Sequence, residues 1–139
     1  MIKHIWSVLC SRSVIDIDTN NVSIQDIVEQ VNINAEPVAD GFLPIPLELV
    51  TLWERKDSDK PAKGIERITF VTPSGKSNIV SEAEIDLSNA ERHRHRVKFP
   101  GVPLSEAGRY YFNVEIKNDN NEWNKVAAIP LKVIFQLAS

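Results

Sequence analysis

The segment Glu91-Arg-His-Arg-His-Arg-Val-Lys98 holds the densest run of side chains on this chain that are suited to chemistry. If it is extended, Arg92, Arg94, Arg96 and Lys98 share one face, because side chains alternate along a strand. Such a row is a candidate anion or nucleic-acid stripe. His93 and His95 then fall on the opposite face, two residues apart, a spacing at which imidazoles can share a metal ion such as the zinc of a hydrolase. A third ligand would have to come from His4, Cys10 or a distant carboxylate, and the chain has only three histidines. The competing reading is a pair of partly buried structural histidines.

Other candidates carry less. Asp16-Ile-Asp-Thr-Asn20 opens like a calcium loop, but Asn21 stands where the glycine belongs and Ile27 where the bidentate glutamate belongs, so turn chemistry explains it. Cys10, Ser11 and Ser13 are nucleophile types, yet there is no Gly-x-Ser-x-Gly elbow and no phosphate-cradling glycine loop. Cys10 reads as a small buried apolar group. Trp6, Trp53 and Trp123, with Tyr110 and Tyr111, could build a sugar-stacking or protein-binding platform, although a sandwich core also needs large aromatic side chains.

The elements that must position these groups are short and β-rich. Eight prolines and five glycines punctuate segments of Val, Ile, Thr and aromatic residues. Strands are expected at 2–10, 13–18, 47–54, 65–72, 78–87, 92–99, 108–117 and 123–135. The stretch 23–33 reads as a strand, with a short helix near 23–31 as the alternative, since Ser23 and Asp26 resemble a capping box and Ile24, Ile27, Val28 and Val31 fit one helical face. Turns are expected at Asp18–Asn21, at Thr72-Pro-Ser-Gly-Lys76 and at Asn118–Asn121. Leu87 to Glu91 has the length of a hairpin loop. An antiparallel pair about it would put Asp86 opposite Arg92, Glu84 opposite Arg94 and Glu82 opposite Arg96, so the acidic row would neutralise most of the basic one.

Length and charge bound the function. At 139 residues the chain is expected to be one domain, 1–139. Sixteen Lys and Arg against nineteen Asp and Glu give a formal charge of -3, which disfavours nucleic acid. The single cysteine excludes an intramolecular disulfide and suits a cytoplasmic setting. No run approaches the ~20 apolar residues of a membrane span, and the first ten residues read as a strand rather than a signal peptide.

The segment Pro103-Leu-Ser-Glu-Ala-Gly-Arg-Tyr-Tyr-Phe-Asn-Val114 resembles the Leu-x-x-x-x-Gly-x-Tyr-x-Phe-x-Val entry to the penultimate strand of immunoglobulin-like domains. That resemblance implies a corner at Tyr110, with Phe112 and Val114 following into the core. No cysteine pair bridges the sheets as in antibody domains. Through Trp6 to Cys10, Val14 to Ile24, Gly108 to Val114 and Pro130-Leu-Lys-Val133, the whole chain also resembles a group of small bacterial and phage β-sandwich proteins, which brings no activity with it. The expectation is an all-β, immunoglobulin-like antiparallel sandwich of about 8–9 strands. Its expected role is a non-catalytic binding or assembly module whose partner is protein, including a second copy of the chain, with no cofactor. The binding surface would draw on Arg92, Arg94, Arg96, Lys98, Trp53 and Trp123. The alternatives are a metal-dependent hydrolase using His93 and His95, or a carbohydrate-binding module.

Overall fold

A computed structural model describes residues 1–137; residues 138 and 139, the end of the expected domain, lie outside the described residues. Among those described, every regular element is a strand: β1 (Ile2–Ile15), β2 (Val22–Ile27), β3 (Gln30–Ile33), β4 (Phe42–Leu43), β5 (Leu47–Arg55), β6 (Ala62–Val71), β7 (Ser77–Leu87), β8 (Arg92–Phe99), β9 (Val102–Pro103), β10 (Gly108–Lys117) and β11 (Trp123–Phe135). One sheet has the order β2-β1-β5-β8 and a second the order β3-β11-β10-β6-β7, while β4 and β9 form a small ribbon. The two larger sheets lie in a sandwich-like arrangement, and their facing side chains make a common core. No described helix is long and apolar enough to cross a membrane.

Alternation fixes which side chains enter that core. Leu47, Leu49 and Trp53 of β5 are buried on one side, against Ile68 and Phe70 of β6 and Tyr110, Phe112, Val114 and Ile116 of β10 on the other. Rings run through the middle: Phe70 lies 5.3 Å from Tyr110 and 4.8 Å from Phe112, and Phe99 of the first sheet reaches Phe112 at 5.4 Å. Burying each such side chain contributes roughly 1.5–3 kcal/mol.

The chain at 23–33 is neither one strand nor a helix. Asp26 takes a positive φ of 53°, which a short polar side chain tolerates, and the backbone then leaves the first sheet for the second. Val28 N–H still donates to Leu9 O at 2.9 Å, and Lys132 N–H donates to Glu29 O at 3.0 Å. β3 thus runs parallel beside β11, the one parallel pairing among the described residues, so the sandwich is not wholly antiparallel. That pairing begins at Lys132, so Pro130, two residues earlier, needs no second ladder partner for the N–H it lacks.

β1 is one long strand whose far half bends, with β2, over the outer face of β5 and β8. Ser13 donates from N and Oγ to Glu48 Oε2 at 3.1 and 2.6 Å, and Arg94 Nη2 donates to Asn20 O at 2.9 Å. Glu48 and Val50 are therefore buried although they point away from the main core.

The expected hairpin between β7 and β8 does not form. β7 pairs with β6, placing Glu84 beside Ile65, whereas β8 pairs with β5 in the other sheet, placing Arg94 beside Leu52. Arg55 holds the intervening corner: its N–H donates to Glu91 O at 2.9 Å, its Nε to Leu87 O at 2.9 Å and its Nη2 to Ser88 O at 3.2 Å. A link of this length can close a hairpin or pass from sheet to sheet, and the buried Leu87 and Ile85 turn their strand toward the core either way.

The Tyr110 corner is present. Its ring is fully buried, its hydroxyl donates to Glu106 O at 2.7 Å and accepts from Glu106 N at 3.1 Å, and Gly108 enters the strand at a φ of 129°. Tyr111 faces the other way and is only half-buried. Tyr110→Phe is expected to lower unfolding stability by about 1 kcal/mol or more, since it strips partners from two backbone groups, while Tyr111→Phe leaves the denaturation midpoint unchanged.

Candidate functional site

β1 and β8 carry the three histidines to one end of the sandwich, His4 and His95 half-buried and His93 exposed. Register places His4 and His93 on either side of Trp53, and His95 beside Thr51. Across the gap from the second sheet stands Glu66 of β6, 1% exposed. Its two carboxylate oxygens are divided: Trp53 Nε1 donates to Oε2 at 2.5 Å, and His95 Nδ1 lies 2.7 Å from Oε1. A shorter chain runs alongside, with His4 Nε2 2.8 Å from Ser7 Oγ and Ser7 Oγ 2.8 Å from Thr51 Oγ1.

This arrangement splits the histidines electrically. The hydrogen bond that His95 donates to Glu66, aided by the carboxylate's charge, raises the His95 pKa above the usual imidazole value against the opposing effect of burial. His93 is lowered, first by desolvation of its ring and then by the neighbouring positive charges of His95 and Arg94. His4 is lowered mainly by burial. The rings of His93 and His95 stack with centroids 6.1 Å apart. No group of three His, Cys, Asp or Glu side chains among the described residues is arranged to hold a metal ion. Nδ1 of His95 is committed to Glu66, so His95 ties the two sheets together, while His93 beside it is exposed.

Glu66 was absent from the candidates, although the sequence carries its signal: Gly64, Glu66, Ile68 and Phe70 share one phase of β6, so a carboxylate occupies a core position. Trp53 is corrected for the same reason. It is fully buried with its indole N–H satisfied, and is therefore no part of an exposed platform. Trp123 lies on the second sheet with Arg67 4.0 Å over its ring and Lys117 at 5.1 Å, so the two tryptophans do not come together and cations cover the second. Cys10 is buried, and burial together with the Glu48 charge pushes its thiol pKa up, away from nucleophilic use.

The charged rows lie on outer faces. Along the second sheet, Lys125, Glu115, Arg67 and Glu82 follow one another across four strands in alternating sign. Burial alone would raise the Glu115 pKa, but hydrogen bonds from Arg67 and Thr69 and the charges of Arg67 and Lys125 hold it below the usual range. Asp86 meets Lys63 at 3.9 Å. Of the acids of β7, Glu82 and Asp86 thus face the β6 cations Arg67 and Lys63 and Glu84 faces Ile65; none faces an arginine of β8. In the first sheet Arg92 sits beside Glu54 and Lys98 beside Glu48, while Arg94 and Arg96 sit beside Leu52 and Val50. Arg94 and Arg96 reach back to the β1–β2 hairpin, at Asn20 and Ser13, and Arg94 Nε is buried without a hydrogen-bond partner. Arg92 and Lys98 are exposed.

No protein-family model and no curated protein matches the chain. Solved structures similar to it include β-glucosidase from Listeria innocua in complex with glucose, at 10% identity and a TM-score of 0.47 over 80% of this chain and 15% of that one. The same enzyme with gluconolactone gives 9% and 0.48 over 96% and 16%. The C-terminal domain of wzt gives 13% and 0.46 over 95% and 72%. The chain spans less than a fifth of the glucosidases' length, and likenesses at these values assign it no activity.

Two measurements check the buried pair. In an NMR titration His95 should titrate above and His93 below the ordinary histidine value, with Glu66→Gln abolishing the elevation. Because the folded His95 pKa is raised, the stability it contributes is complete below the unfolded value and fades as pH rises through the folded one. Glu66→Gln should therefore destabilise more at about pH 6 than at about pH 9. Glu66→Ala, which orphans the Trp53 N–H as well, should lose about 2–4 kcal/mol in chemical denaturation.

Proposed function

We propose that the chain is a non-catalytic binding or assembly module that works through protein–protein contacts. One observation carries this reading. On the side of the sandwich where the chain passes between sheets, both sheets end in strands with an unpaired edge, β7 and β8, and the two edges bear rows of opposite charge. An unpaired edge offers a ladder of N–H and C=O groups to an added strand, and charged side chains along it select the partner.

Protein suits this surface better than nucleic acid. Arg94 and Arg96 are spent on Asn20 and Ser13, a phosphate backbone drawn to Arg92 and Lys98 would meet Glu54 and Glu48 beside them on β5, and the chain carries a formal charge of -3. A protein can answer both signs. The Gly108 entry and the Tyr110 corner support an immunoglobulin-like character for the sandwich, and the lone buried cysteine suits a cytoplasmic setting.

The test is affinity capture with chemical cross-linking in a lysate of the native host, comparing wild type with Glu82→Lys/Glu84→Lys and with Arg92→Glu/Lys98→Glu. Binding through these edges predicts specific protein partners that both variants lose, with unchanged circular dichroism. Partners retained equally by both variants would contradict it.

A further inference from the structure

We infer that the partner accepted by the β7 and β8 edges is a second copy of the same chain, joined about a two-fold axis parallel to these strands. The inference rests on the binding-module reading and names its occupant.

Geometry and charge point the same way. The corner at Ser88–Glu91 reverses the chain, so β7 and β8 run in opposite directions at the same side of the molecule, one in each layer. A two-fold axis lying between the layers and along the strands carries the second sheet of one copy level with the first sheet of the other. β8 of each copy then meets β7 of its mate, antiparallel. The outer face of one sheet continues into the outer face of the next. Glu82, Glu84 and Asp86 of one copy lie on the same face as Arg92, Arg94, Arg96 and Lys98 of the other, and both rows alternate with period two, so any register that preserves the pleat sets acid beside base. One rotation forms this strip twice, as an isologous interface requires.

The competing self-pairings are repelled. β8 against β8 would face four cations with four, and β7 against β7 would oppose its acids. The lengths also match. β7 pairs with β6 without irregularity from Ser81 to Leu87, the bulge lying just before this segment at Val80, and β8 is eight residues long. Arg92 and Lys98 are exposed and unused by any intramolecular ion pair among the described residues.

Sedimentation equilibrium and light scattering across a concentration series, at low and high ionic strength, test this directly. Wild type should be a dimer that high salt weakens. Glu82→Lys/Glu84→Lys/Asp86→Lys and Arg92→Glu/Lys98→Glu should each raise the dimer dissociation constant by at least about tenfold, while an equimolar mixture of the two should recover a one-to-one heterodimer, since β8 of the first variant then meets the acidic β7 of the second. Circular dichroism checks that each variant is folded. A wild type that stays monomeric at low salt, or a dimer indifferent to both variants, overturns the inference. If the wild type is monomeric yet its captured partners still depend on both edges, self-pairing fails and the binding-module reading stands.

Discussion

The corner at Ser88–Glu91 decides more about this molecule than any other stretch, because it sends two consecutive strands of opposite charge to different sheets. Arg55 holds it with two side-chain hydrogen bonds, to the carbonyls of Leu87 and Ser88, and with one from its own N–H to the carbonyl of Glu91. Had the chain folded back on itself instead, the acids of β7 would have covered the cations of β8 and both rows would have been silent. Passing between layers leaves each at the free edge of its sheet. It also turns His95 toward the other sheet, where Glu66 stands opposite.

The Glu66 cluster follows from that geometry and carries a cost. Removing a carboxylate from water is unfavourable by several kcal/mol, and the hydrogen bonds from Trp53 and His95 offset it only while both donors remain in place. Such a group adds little net stability against an apolar replacement. What it adds is alignment: β5 and β8 of one sheet are tied to β6 of the other at one fixed register, at the end of the core that the aromatic rings Phe70, Phe99, Tyr110 and Phe112 do not reach.

On the outer face of the first sheet the arginines do two kinds of work. Arg94 and Arg96 sit beside apolar residues of β5 and spend donors on Asn20 and Ser13, holding the bent β1–β2 hairpin over Glu48 and Val50. Arg92 and Lys98, at the two ends of the row, remain turned to solvent. A stripe that looks uniform along the chain is thus divided into a structural middle and accessible ends.

How far the chain could be read without coordinates depended on the range of the interaction. Local chemistry was legible: Gly75 and Asn121 take positive φ in the turns expected of them, and Gly108 with Tyr110 makes the corner that its spacing implied. Period-two alternation put His93 and His95 on the face opposite the arginines, because the pleat is a property of a single strand, but His93 is exposed where partial burial was expected and Arg94 and Arg96 are half-buried. It could not say which sheet a strand joins, since a hairpin and a crossing between layers present the same faces to the core. Glu84 and Arg94 therefore parted, the segment at 23–33 divided between two sheets at Asp26, and Trp53 went inside to meet a glutamate thirteen residues away along the chain. The sequence by itself determined the strands from 47 onward apart from the short β9, the turns and the sign of charge on each face, while 2–10 and 13–18 joined into the single strand β1. Only tertiary structure decided which strands became neighbours, because pairing is settled by long-range packing of whole sheets and not by the pattern within any one of them.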